Sequence, residues 1–121
     1  MPAAELIRIP VRGFAHSTLL CCFEMYAEDA QDEDEDCRNL AAVAAAFQRG
    51  KFTALAFAPS DVRAIRFGVL DLLNGEDSVV EVEAKKPKHK RDPDTIRHAR
   101  AARDGLSGIY DRLLTTAPET P

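Results

Sequence analysis

The last third of the chain carries the pattern that most restricts the fold. After Asp92-Pro93, apolar residues return at Ile96, Ala99, Ala102, Leu106, Ile109, Tyr110, Leu113 and Leu114. At about 100° per residue these positions form one stripe about 140° wide, which predicts an amphipathic helix. Asp92 suits the N-cap, and Pro93 suits the first helical position, where its missing N–H costs nothing. Gly105 and Gly108 each weaken this helix by about 1 kcal/mol relative to alanine, so they mark a bend or a close contact. At 121 residues the chain is long enough to bury such a face in its own core.

Two further helices follow from the same period. Leu40, Val43, Ala44 and Phe47 share a face, with Asp36 as the expected N-cap and Gly50 as the stop. Val62, Ile65, Val69 and Leu72 share another, with Ser60 as the cap and Asn74-Gly75 as the end. Residues 14–29 are apolar almost all round, which points to a buried helix, with a long strand as the alternative.

Alternation by twos marks the strands. Ile7, Ile9 and Val11 alternate with Arg8 and Arg12, and Pro10 confines that strand to a sheet edge. "KFTALAFA" reads as a short strand ending at Pro59. In "SVVEVEA", Val80, Val82 and Ala84 alternate with Glu81 and Glu83, predicting a half-buried strand over 78–84. With strand 52–58 and the helix between them, it would form a right-handed parallel crossover.

The expected fold is therefore α+β, or a small α/β domain. It is a helix-rich single domain over 1–115, with about four helices, about three strands and a loose tail at 116–121. A mostly helical bundle is the alternative if the strands fail.

The net charge of −4 conceals two opposed segments. Residues 24–36 carry a local net of −8, and residues 85–103 a local net of +6. Lys85, Lys86, Lys88, Lys90 and Arg91 lie in a linker interrupted by proline over 85–91, and Arg97, Arg100 and Arg103 continue along one flank of the helix. Such an arm suits a phosphate backbone, with steep salt dependence. No aromatic residue interleaves it to stack on bases. On the other reading it is a solvated connector and a surface helix in which Arg100 pairs with Asp104.

The acidic loop 29–36, with Asp32, Glu33, Asp34, Glu35 and Asp36, is a second candidate surface. Asp32, Asp34 and Asp36 have the spacing that opens a calcium loop, but Cys37 and Val43 stand where it needs glycine and glutamate. If the acidic loop lies against the basic arm the two neutralise each other. If they lie apart, each can serve a partner or a second copy of the chain.

Chemistry-bearing motifs are sparse. Glu83-Ala84-Lys85 at the end of the expected strand resembles the metal-binding half-motif of the PD-(D/E)xK nuclease family. That resemblance implies magnesium held by Glu83 and an upstream acid, with Lys85 assisting the attacking water. Asp77 and Asp61, the nearby acids, do not stand on a strand of their own. An ordinary solvent-facing strand face is the other reading. Cys21, Cys22 and Cys37 have no disulfide-scaffold spacing, and with His16 they make an incomplete zinc set. No phosphate-binding glycine loop or nucleophile–base pair is evident.

No window reaches the ~18 to 20 apolar residues of a membrane span, and the first residues lack a secretion-signal pattern. The sequence thus predicts a soluble, cytoplasmic, non-enzymatic protein with no cofactor, metal or catalytic residue. It would bind a protein partner through its charged surfaces, with nucleic acid or self-association as further possibilities.

Overall fold

The computed structural model describes residues 6–28 and 34–116. In order they form β1 (Ile7–Pro10), α1 (Phe14–Tyr26), α2 (Glu35–Arg49), β2 (Ala54–Phe57), α3 (Val62–Lys85) and α4 (Pro93–Thr116). Single 3-10 turns, Pro59–Asp61 and Lys88–Lys90, lead into the last two helices. The fold is helix-rich, with four helices as expected and one short antiparallel sheet. β1 and β2 pair from Ile7 opposite Phe57 to Pro10 opposite Ala54. Both strands are edges, so Pro10 is tolerated.

The third strand does not form. Residues 78–84 belong to α3, which runs through Asn74 and Gly75 without a break. The parallel crossover disappears with it. The cause lies on the inward face of α3. Beyond Leu72 that face continues through Glu76, Val80 and Glu83, at steps of four and three. Glu76 accepts the Thr18 hydroxyl at 3.0 Å, and Glu83 is only 5% exposed. Carboxylates stand where hydrophobes would have signalled a helix, while Val79 and Val82 point outward and mimic a strand. Gly75 costs about 1 kcal/mol, which packing of α3 along α4 outweighs.

Three local expectations also shift. Asp34, rather than Asp36, caps α2, its side chain accepting the Asp36 N–H at 2.9 Å. At α3 the cap position falls on Asp61, with no side-chain bond, because the 3-10 turn at Pro59–Asp61 leads the chain into the helix. Residues 14–26 are helical, but α1 buries only Ala15, Leu19 and Cys22. Met25 is 66% exposed, and Phe14 and Leu20 also reach solvent, because α1 touches its neighbours along one side.

The core joins Ile9 and Val11 from the β1 segment, Leu19, Val43, Phe47, Leu55, Phe57, Ile65, Val69, and Leu106 and Leu113 from α4. Each fully buried Leu, Ile, Val or Phe contributes about 1.5–3 kcal/mol. The α2–β2 turn is held tightly around it. A Cβ at Gly50 would lie 1.9 Å from the Ala54 carbonyl oxygen. Lys51 and Phe52 follow in the left-handed region, with φ of 58° and 63°. That strain is offset by the Phe52 ring, edge-on to Phe23 at 5.0 Å and to Phe47 at 5.4 Å. His16 Nε2 donates to the Phe52 carbonyl at 2.9 Å, so His16 serves the fold.

Helix contacts are close at two glycines. A Cβ at Gly105 would stand 2.9 Å from that of Ala15, which is the close contact its sequence position suggested. A Cβ at Gly68 would meet the Val43 side chain at 2.5 Å and the Asn39 carbonyl oxygen at 2.6 Å. Gly68→Ala is expected to cost about 1–3 kcal/mol by forcing α2 and α3 apart. Gly108, with nothing within 4 Å of its virtual Cβ, should gain up to about 1 kcal/mol on replacement by alanine. Urea unfolding of the two variants checks both signs.

Candidate functional site

The site begins with the connection between α3 and α4. Pro87 disfavours helix at the residue before it, and Lys86 is extended there, with φ −69° and ψ 151°. Glu83 then fastens the connection. One carboxylate oxygen accepts the Asp92 N–H at 2.8 Å and the other meets Lys86 Nζ at 2.6 Å. Lys86 first, then the Asp92 N–H, hold the Glu83 carboxyl below its ordinary value of 4.5. Asp92 caps α4 as expected, accepting the Asp94 N–H at 2.9 Å and the Thr95 hydroxyl at 3.0 Å. These bonds lower its carboxyl as well, that of Thr95 most. Arg91 donates to the Lys86 carbonyl at 3.0 Å. Segment 85–91 is therefore a connection anchored at both ends.

Beside this turn lies a groove of about 710 Å³. Lys88, Arg91, Arg97 and Arg100 supply its cations, Pro93, Ile96 and Ala101 its apolar surface, and Asp104 its one acid. Half of the eight basic residues picked out by charge thus converge. Arg97 is paired with Asp94 on the same helix. Lys88 and Arg100 make no ion pair or hydrogen bond among the described residues. The expected Arg100–Asp104 pair is not made. Asp104 lies 3.5 Å from Arg103 instead. Guanidinium forks of this kind suit carboxylate or phosphate, and the apolar surface suits the stem of whatever carries it. With Asp92 occupying donors at the α4 N-terminus, attraction for an anion comes from the side chains.

The other four basic residues have separate places. Lys85 and Lys86 end α3, Lys86 held by Glu83. Lys90 lies on the 3-10 turn, and Arg103 bridges to Asp77 of α3 at 2.5 Å, tying the helices together.

Among the acids, Asp32 and Glu33 lie outside the described residues. Asp34, Glu35 and Asp36 open α2 in exposed positions. Asp34 and Asp36 lie near the middle of α3, where partial burial first, then Asp36 and Asp34, push the Asp71 carboxyl above its ordinary value. Asp71 and Lys85 are fourteen residues apart on one helix, a rise of about 21 Å. The screening length at physiological salt is about 8 Å. Asp34, Glu35 and Asp36 therefore do not neutralise the basic turn, and no ion pair joins them to it among the described residues.

The nuclease resemblance loses its geometry. Glu81, Glu83 and Lys85 sit on a helix, where a spacing of two sends neighbours to opposite sides, and Glu83 is already engaged. Cys22 is a packing residue. Its thiol donates to the Leu40 carbonyl, and burial, with Cys21 adding, pushes its pKa up to about 12. His98 stacks on Phe14 at 4.6 Å.

Sequence reasoning missed Glu76, and took up Glu83 and Asp77 only as candidate metal ligands, not as the partners of Asp92, Lys86 and Arg103. The one available signal was the i, i+3 relation of Glu83 to Lys86, which joins neighbours only on a helix. Both Glu83 and Asp92 are more acidic folded than unfolded. Their contribution is complete above about pH 4.5 and is lost as pH falls through the lowered values. Glu83→Gln is expected to lower the melting temperature at neutral pH and to flatten its decline in acid. Parallel melting profiles from neutral pH down to acid would show that Glu83 carries no such role. Comparison of the chain with protein-family models, with curated proteins and with solved structures found no match.

Proposed function

We propose that this chain is a non-enzymatic binding protein that engages an acidic macromolecular partner, foremost an acidic protein segment, through the groove between the Lys88–Lys90 turn and α4. The observation that carries this reading is the convergence of Lys88, Arg91, Arg97 and Arg100 on one groove, two of them uncommitted within the described chain. Apolar surface between the cations favours an acidic peptide, whose carboxylates meet the guanidinium groups while its apolar side chains cover Ile96 and Ala101. Holding such a segment would regulate or scaffold the protein that bears it.

Nucleic acid is the second reading. Arg97 and Arg100 follow one helix flank and Lys90 extends the positive path beyond the groove. With no aromatic residue lining the groove, contact would be to phosphates and indifferent to base sequence. The acidic start of α2 remains a surface for a basic partner.

Fluorescence anisotropy with labelled poly-glutamate, duplex DNA and single-stranded RNA, at low and physiological salt, separates these readings. Poly-glutamate should bind and the nucleic acids should not. The double change Lys88→Glu, Arg100→Glu should weaken binding by about tenfold or more, since hydrogen bonds to charged groups are each worth about 1.5–3 kcal/mol. Nucleic-acid binding that falls steeply with salt would establish the second reading. Affinity for any probe that survives the double change would move the site elsewhere.

A further inference from the structure

A different face of the molecule carries an interaction surface that the groove does not use. Along the outer side of α3, Asp71, Gly75, Ser78, Val82 and Lys85 recur at steps of four, three, four and three. That spacing places the five residues in a seam on one side of the helix. Asp71 and Gly75 edge a groove of about 470 Å³ beside α1 and Leu40, while Ser78, Val82 and Lys85 are exposed. Val82 is 61% exposed and Val79 beside it 41%. Gly75 has nothing within 4 Å of its virtual Cβ, so no internal contact requires a glycine at this helix-weakening position.

The charges along the seam are arranged about its centre. Asp71 lies seven residues before Ser78, and Lys85 lies seven residues after it. We propose that two copies of this chain pair through this face of α3, antiparallel about a two-fold axis at Ser78. Asp71 of each copy then meets Lys85 of the other, while Val82 of each copy lies over Gly75 of the other. Gly75 and Ser78 let the helix axes approach closely. A parallel pairing would set Asp71 against Asp71, and like charges facing each other oppose it.

The acidic end of the seam explains why a second copy fits. Asp71 stands among Asp36 and Asp34 and makes no ion pair among the described residues. Partial burial and those two acids raise its carboxyl above the ordinary value. A lysine from a second copy meets that need, and the two-fold axis supplies it twice. The contact is isologous and closes at two chains. A seam of about 21 Å is small for a permanent interface, so the association is reversible, with a dissociation constant on the order of micromolar.

Sedimentation velocity at low salt, over a wide range of concentration, tests the pairing. The wild-type chain should dimerise, more weakly as salt rises, and Val82→Glu should remain monomeric. Asp71→Lys alone and Lys85→Asp alone should each weaken the dimer by about tenfold, because each turns both cross-axis attractions into repulsions. Mixed together, those two variants should form a heterodimer of wild-type strength, since every lysine then faces an aspartate. Circular dichroism of each variant separates lost pairing from lost fold, and the mixture decides the matter even where Val82→Glu unfolds. A wild type that stays monomeric, a folded Val82→Glu variant that still dimerises, or a mixture no tighter than its components would each overturn the proposal.

Discussion

Glu83 is one carboxylate on which much of the described charge geometry depends. It ends the inward face of α3, buried, and its two oxygens are satisfied by the backbone of Asp92 and the side chain of Lys86. A buried charge is tolerated only when its hydrogen bonds are made. Here they are made by the connection that turns the chain back along α3. The direction of α4, the order of the Lys88–Lys90 turn and the convergence of the groove cations follow from this anchoring. Removing the carboxylate would leave the Asp92 N–H without its partner and Lys86 without its counter-ion.

The packing between α3 and α4 changes character along its length. Toward the sheet, Leu106 and Leu113 share one buried apolar core with Ile65 and Val69. Toward the turn, an ion pair between Arg103 and Asp77 and the Glu83 bonds take over, with Ala99 and Ala102 as small residues between. Apolar area carries most of the folding free energy, at about 25 cal/mol per Å². The polar end contributes direction instead, because ion pairs and directed hydrogen bonds hold one geometry where apolar contacts tolerate several.

The parts legible in sequence were those where hydrophobic period and structure agree. The α4 stripe with its Asp92-Pro93 start, the α2 face through Phe47, the edge strand with Pro10 and the close contact at Gly105 are all present. Reading broke down where a helix buries carboxylates. Glu76 and Glu83 look solvent-facing in any scale that ranks residues by apolarity, and the outward valines complete the false alternation. Asn74-Gly75 compounded the error, because the tertiary packing that carries α3 past them is not local information. The basic cluster was legible as a cluster, but its division was not. Arg103 is paired with Asp77 and Lys86 with Glu83, while Lys88 and Arg100 make no ion pair among the described residues.

The length of α3 decides what the opposed charges can do. Had the helix stopped at Gly75, the chain could have folded the basic turn back on Asp34 and Asp36, leaving an inert neutral pair. An unbroken helix to Lys85 instead holds Asp71 and the basic turn about 21 Å apart, beyond effective screening distance. Charges held apart by a rigid element cannot satisfy each other within one molecule. The net charge of −4 then coexists with two opposed local fields. The continuity of α3, stabilised by inward carboxylates that obscured it in the sequence, is what keeps those fields apart.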